Sequence, residues 1–184
     1  MDILGLNNVN TEILLKIIKL YENKRVIIVG ETCSGKDHLK NTLLANGFDK
    51  SISYTTRQSR ENEKHGIDYF FVDEHQFLTY VKNGWFYESD NFNGASYGTT
   101  FTEWNAINSN KVFIMTPQSI EAMSKEDRES SLVIYLKVSQ ELQMERLNAR
   151  GYSQEEIDKR LDEDNVAFFA FVNWDIFMVD LTIV

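Results

Sequence analysis

The 184-residue sequence holds one proline, one cysteine and nine glycines, and each shortage excludes something. With Pro117 alone there is no proline-rich linker, and no repeat, low-complexity tract or composition break marks a second independent domain. The lone Cys33 has no partner for an internal disulfide, which excludes a disulfide-stapled secreted scaffold. There is no secretory leader and no apolar run of about 20 residues, so a soluble cytoplasmic protein is expected, without a membrane partner. Basic residues are outnumbered: 19 Lys and Arg against 28 Asp and Glu give a net charge of −9. Such a chain repels polyanions at long range, which argues against a general binder of nucleic acid or anionic membranes. Any anion it binds must sit in a local basic pocket. What is present, 42% hydrophobic and 12% aromatic residues, suffices for one domain with a real core.

The most informative stretch runs from Arg25 to Leu44, RVIIVGETCSGKDHLKNTLL. Val26, Ile27, Ile28 and Val29 are β-branched without polar interruption, which suits a strand buried on both faces of a parallel sheet. Gly30-Glu31-Thr32-Cys33-Ser34-Gly35-Lys36 follows at once, and His38 to Ala45 has helix-forming composition. Strand, glycine loop and helix together are the context a phosphate-binding loop requires. Gly30 and Gly35 let the backbone curl with its N–H groups inward, and the helix beginning near Gly35 adds its positive dipole end. Lys36 supplies a full charge for the β- and γ-phosphates of a polyphosphate. The motif ordinarily ends in Ser or Thr, whose hydroxyl binds Mg²⁺; Asp37 stands there instead. A carboxylate is also a hard oxygen ligand, so Asp37 is the candidate metal ligand.

Upstream, Asn10 or Thr11 can cap a helix with Ile13, Leu14, Ile17, Ile18 and Tyr21 on one face, expected to pack on the core. Gly47 is a helix stop. The second informative stretch is Ser51-Ile52-Ser53-Tyr54-Thr55-Thr56-Arg57-Gln58-Ser59-Arg60, continuing through Glu63, Gly66 and Asp68 to Tyr69-Phe70-Phe71-Val72. Two arginines three apart among hydroxyls can grip a phosphate, because guanidinium forks match its oxygens. On the plainer reading they are solvated loop charges paired with Glu61 and Glu63.

The order S-x-S-x-T-T-R-x-x-R-x-x-E-x-x-G-x-D-Y-x-F-V, matched by Ser51 through Val72, resembles the nucleotide-acceptor segment of guanylate kinases. The resemblance continues through Phe86-Tyr87-Glu88 and Gly94-Ala95-Ser96-Tyr97-Gly98-Thr99 and spans Arg25 to Asp180. It implies a P-loop nucleoside-monophosphate kinase: an α/β fold in three α/β/α layers with a parallel core sheet, a small mixed acceptor-binding insert and a short helical lid. On that pattern one domain spans 1–184, with its core at 24–50 and 100–184, insert at 51–99, lid at 139–160 and an extra N-terminal helix near 10–22. The resemblance further implies that Arg57, Arg60, Tyr69 and Tyr97 hold the acceptor phosphate, and that Ser53, Glu88 and Thr99 address its base. The chemistry agrees: Glu88 can accept from guanine N1–H and N2–H₂ together, and Ser53 can donate to O6. Without the resemblance Glu88 reads as a surface strand charge, and the tyrosines as core aromatics with wet hydroxyls.

Lys111 to Gln118 reads as a further strand, and here the chain departs from the family, which usually carries two aspartates near the positions of Thr116 and Gln118. Their absence puts strict guanine specificity in question, though the Gln118 amide can still bond a base. Leu132 to Leu136 is another buried-type strand; Ser139 can cap the next helix and Gly151 end it. Arg146 and Arg150 share a helix face with no acidic neighbour at three or four residues, an arrangement that suits an external anion. Ser153-Gln154-Glu155-Glu156 is a capping box for a helix carrying Arg160, which Glu156, Glu163 or Asp164 could neutralise. The resemblance places Arg146, Arg150 and Arg160 in the lid over the ATP phosphates. Phe168, Phe169, Phe171 and Trp174 read as an apolar cluster, and Ile176 to Val179 as the last core strand. The family continues into a final helix, and the N-terminal helix is expected to cover that surface here. The expected reaction is ATP plus GMP, or dGMP, with Mg²⁺, giving ADP and the diphosphate. The competing readings are a kinase for another (deoxy)nucleoside monophosphate and a binding module without turnover.

Overall fold

A computed structural model describes residues 11–20, 25–92, 94–106, 110–169, 171 and 177–180. The chain forms two compact units, Met1–Asp49 with Asn110–Val184, and Lys50–Ser109. In chain order the elements are α1 (Thr11–Leu20), β1 (Arg25–Gly30), α2 (Lys36–Ala45), β2 (Asp49–Lys50), β3 (Tyr54–Thr55), β4 (Phe70–Phe71), α3 (Glu74–Lys82), β5 (Phe86–Phe92) and β6 (Ala95–Thr100). They continue as α4 (Phe101–Trp104), β7 (Lys111–Ile114), α5 (Pro117–Glu121), α6 (Lys125–Glu129), β8 (Ser131–Lys137), α7 (Gln140–Ala149), α8 (Gln154–Phe168) and β9 (Phe177–Asp180).

The first unit is organised on a five-stranded sheet ordered β2-β7-β1-β8-β9. β1 runs parallel to β7, with Val26 opposite Val112, and parallel to β8, from Arg25 opposite Ser131 to Gly30 opposite Leu136. β9 extends the parallel set beyond β8, pairing Ile134 with Phe177. A strand flanked on both sides and covered on both faces has no solvent-facing positions. That accounts for the unbroken apolar run of β1 and for the six consecutive buried residues of β8.

Alternate residues divide between the faces. On one, Val26, Ile28, Val112, Leu132, Ile134 and Leu136 pack with Leu39 and Leu43 of α2 and Leu14 and Ile18 of α1. On the other, Tyr135 stacks on Phe168 at 5.2 Å, and Phe171 meets it edge-on at 5.7 Å. Helices therefore lie on both faces of a parallel sheet, as the sequence predicts. Phe169 differs from expectation: it is 89% exposed, because at the end of α8 it falls off the face that carries Leu161 and Phe168. Asn10, Tyr21, Trp174 and Ile176 lie outside the described residues.

The predicted strand from Lys111 to Gln118 is a second correction, since β7 stops at Ile114. Pro117 has no N–H for a sheet ladder but has the φ of a first helical turn, and it forces the residue before it to be extended. Thr116 accordingly becomes the cap of α5, its hydroxyl accepting from Ser119 N–H at 3.1 Å.

The second unit is a four-stranded mixed sheet ordered β4-β3-β6-β5, with β3 parallel to β4 and antiparallel to β6. Its helix α3 opens on a full capping box between Asp73 and Gln76. Behind the sheet, the Phe86 ring lies where a Cβ on Gly98 would come within 2.9–3.0 Å, so β6 needs glycine at that position.

Leu14 is 2% exposed and belongs to the cluster that covers β1. Leu14→Ala should therefore cost about 2–5 kcal/mol, seen as a lower urea midpoint. An unshifted midpoint would mean that α1 is not part of the core.

Candidate nucleotide site

The loop between β1 and α2 is shaped by close approach. A Cβ on Gly30 would stand 2.6 Å from the Leu136 carbonyl oxygen and 2.5 Å from Ser34 Oγ, so no larger residue fits. Two residues turn the loop in the left-handed region: Gly35 at φ 98° and, less usually, Cys33 at φ 62°. Gly35 caps α2 without a side-chain hydrogen bond. The first N–H groups of α2 therefore have no side-chain acceptor at the cap, the arrangement from which helix N-termini bind phosphate.

Lys36 folds back over the start of this loop, donating to the carbonyls of Gly30 at 2.6 Å and Glu31 at 2.7 Å. Burial pushes its pKa down, opposed by the nearby charges of Asp164 and Asp37. A polyphosphate arriving at the loop would relieve that penalty by supplying negative charge. Ser34 is 3% exposed, and its hydroxyl has no hydrogen-bond partner among the described residues. Asp37 is exposed in the first turn of α2 and pairs with Lys40 at 2.7 Å. It offers the hard oxygen that Mg²⁺ prefers.

Two loop residues expected to line a phosphate behave otherwise through their side chains. Glu31 turns inward and accepts from Tyr135 OH at 2.7 Å and from Val138 N–H at 3.1 Å. Thr32 turns towards α8: its N–H donates to Asp164 Oδ2 at 2.6 Å and its hydroxyl to Oδ1 at 3.2 Å. Gln143 Nε2 donates both to Asp164 at 2.9 Å and to the Thr32 carbonyl at 3.1 Å. Asp164, weighed from sequence as a neutraliser of Arg160, is committed to the loop instead. Burial raises the pKa of both Glu31 and Asp164 above the usual carboxylate range, against the hydrogen bonds that favour the charged form.

Of the three arginines on α7 and α8, Arg146 reaches the loop, donating from Nη1 to the Cys33 carbonyl at 2.7 Å. Arg160 lies over the Tyr152 ring at 4.5 Å. Arg150 is exposed at the C-cap of α7.

In the second unit the candidate acceptor residues gather around Arg57. Its Nη2 donates to Glu63 Oε1 at 2.8 Å and its Nη1 to the Gln58 carbonyl at 2.6 Å. The guanidinium stands 5.4 Å from the centre of the Tyr69 ring, and Tyr69 meets Tyr97 edge-on at 6.2 Å. Arg60 approaches the same Glu63 at 3.8 Å and is more than half exposed. Glu63 is partly desolvated, yet the Arg57 hydrogen bond and the Arg60 backbone N–H at 2.8 Å hold its pKa below the ordinary value. The plainer reading pairs the arginines with Glu61 and Glu63; the ion pairs found go to Glu63, and they coexist with the arginine-tyrosine cluster. Ser53 and Thr99 hydroxyls lie 3.3 Å apart, and Glu88 stands opposite Thr99 in the β5–β6 ladder. Gln118 is in the first unit, exposed on α5.

Sequence reading missed Asp164, Gln143 and Tyr135 as loop supports. One signal was available. Ile157, Leu161, Asp164 and Phe168 follow one another by four, three and four positions, and all are buried, so Asp164 is a charge in an apolar stripe.

The raised pKa of Glu31 has a measurable consequence. Between its ordinary value of 4.5 and the raised folded value, the native protein holds a proton that the unfolded chain has released. Stability is therefore lost as pH rises through that window. In Glu31→Gln the carbonyl can still accept from Val138, and the Tyr135 hydroxyl can turn to accept from the new amide. Denaturant midpoints followed from about pH 4 to 8 should diverge in the variant's favour as pH rises. Parallel curves would mean that Glu31 titrates normally in the fold.

A family model described as guanylate kinase matches residues 22–182. The guanylate kinase of Schizosaccharomyces pombe is 33% identical over 138 residues, covering 72% of this chain and 68% of the relative. That of Nitrosomonas europaea is 31% identical over 139 residues, covering 73% and 69%. The crystal structure of guanylate kinase from Anaplasma phagocytophilum has the same fold, with a TM-score of 0.66 at 23% identity, over 86% of this chain and 78% of that one. Matched over residues 22–182 and about a third identical to two of its members, the chain belongs to the guanylate kinase family.

Proposed function

We propose that this chain transfers the γ-phosphoryl group of ATP to GMP or dGMP, giving ADP and the nucleoside diphosphate. The observation that carries the reading is the loop after β1, where a half-buried lysine, a left-handed turn and a helix N-terminus without a side-chain cap converge. In-line transfer joins an acceptor phosphate oxygen to the γ-phosphorus while the bond to the β-phosphate oxygen breaks. The protein's share is positioning and charge neutralisation.

In this reading Lys36 leaves the carbonyls of Gly30 and Glu31 for the β- and γ-phosphates, and the α2 N-terminus supports the same group. Arg146, Arg150 and Arg160 offset the charge developing on the transferred group. Arg57, steadied by Glu63, holds the acceptor phosphate with Arg60, Tyr69 and Tyr97, and the Glu88, Ser53 and Thr99 group reads guanine. Mg²⁺ would neutralise charge on the donor phosphates, and Asp37 is the residue suited to hold it. A cytoplasmic setting belongs to the same reading, and a single reduced cysteine suits it. Lys36→Met should lower ADP release in the presence of GMP and Mg²⁺ by about a hundredfold or more. Binding of GMP without turnover by the native protein would favour a binding module instead.

The second reading, a different (deoxy)nucleoside monophosphate as acceptor, draws on one observation: the Thr116 hydroxyl is occupied in capping α5 and Gln118 is exposed. Base selection then rests on the second unit. Glu88→Gln should lower kcat/KM for GMP by about ten- to a hundredfold, the worth of a hydrogen bond to a charged group, while changing that for AMP far less. Equal effects on a panel of acceptors would remove Glu88 from base recognition.

A further inference from the structure

Asp164 is the one carboxylate in the buried class among the described residues, at 2% exposure. A buried carboxylate is expensive, and an apolar side chain at its place in the α8 stripe would pack without that penalty. Its three hydrogen bonds show what it does there. Two come from Thr32, through the N–H and the hydroxyl, and one from Gln143. Gln143 in turn takes the Thr32 carbonyl, so the loop at Thr32 is gripped through its N–H, its hydroxyl and its C=O. The adjoining Cys33 carbonyl is held by Arg146. Side chains from two helices more than a hundred positions downstream therefore pin two consecutive loop residues.

What they pin is strained. Cys33 has φ 62°, a left-handed conformation that disfavours a residue with a Cβ. Such a conformation persists only where the surroundings determine it on several sides. The turn decides where the N–H groups between Cys33 and Lys36 point.

We propose that Asp164 is a positioning residue for the phosphate loop: with Gln143 it fixes Thr32, holds the turn at Cys33, and so aims the loop at the donor polyphosphate. It also makes the loop answer to α8, the helix that carries Arg160. The inference rests on the reading that this loop takes the phosphates of ATP.

Two substitutions separate geometry from charge. In Asp164→Asn the carbonyl can accept from Thr32 N–H and Gln143, and the new amide can donate to a Thr32 hydroxyl that turns to receive it. Asp164→Leu is of similar size and offers no acceptor. Binding of a non-hydrolysable ATP analogue with Mg²⁺, and separately of GMP, would be measured by calorimetry on the full chain, with melting temperatures alongside. The leucine variant should bind the ATP analogue about ten- to a hundredfold more weakly with GMP affinity retained, and the asparagine variant should recover most of the loss. Equal weakening towards both ligands would indicate a structural role only. An asparagine variant as weak as the leucine one would put the effect in the charge; either result overturns the proposal. If Asp164→Leu does not fold, Gln143→Leu carries the test, and unchanged affinity for the analogue would overturn it. Failure of the native protein to bind the analogue would instead overturn the reading of the loop itself.

Discussion

The fold depends on how tightly β1 and β8 are laid side by side where the sheet ends. The Leu136 carbonyl fills the space a side chain on Gly30 would need, so the chain leaves β1 with bare backbone against β8. That contact decides which groups sit beneath the loop. Tyr135 in β8 and Val138 just beyond its end meet Glu31, and the helices after β8 present Gln143, Arg146 and Asp164 to the next two residues. A phosphate-binding surface made of backbone needs such backing, because backbone alone has too many conformations to hold one shape.

The backing is acidic, which runs against the task of attracting an anion. Glu31 and Asp164 lie behind the loop with Lys36 close to Asp164, in a chain whose net charge is already −9. Hydrogen bonding resolves the conflict locally. The carboxylates are occupied by donors from Thr32, Gln143, Tyr135 and Val138, and burial holds their pKa up. The positive groups that remain, the α2 N-terminus and the lysine, are those an incoming phosphate would meet on the proposed reading.

Much of this was legible in the sequence, and the reason is locality. β1, the loop, α2, the capping box at Ser153 and the helix stop at Gly151 are set by neighbours within four or five residues. The end of β7 was misread because Phe113-Ile114-Met115 continues an apolar run, while the backbone consequence of Pro117 acts on the residues before it. Phe169 was misplaced by composition, where periodicity along α8 would have put it outside. The partner of Asp164 could not be read at all: Thr32 is 132 residues away, and only the sheet order brings them together. Within the second unit, resemblance supplied the grouping of Arg57, Tyr69 and Tyr97, which no spacing rule yields.

The Arg57–Glu63 pair at 2.8 Å is a resident counterion. If Arg57 takes the acceptor phosphate as proposed, loading is an exchange of one anion for another, or a sharing between two, and the Coulombic gain is a difference between two favourable states. Long-range attraction would be correspondingly muted, and discrimination between an incoming phosphate and bulk chloride would rest on the fork geometry of the guanidinium more than on its charge.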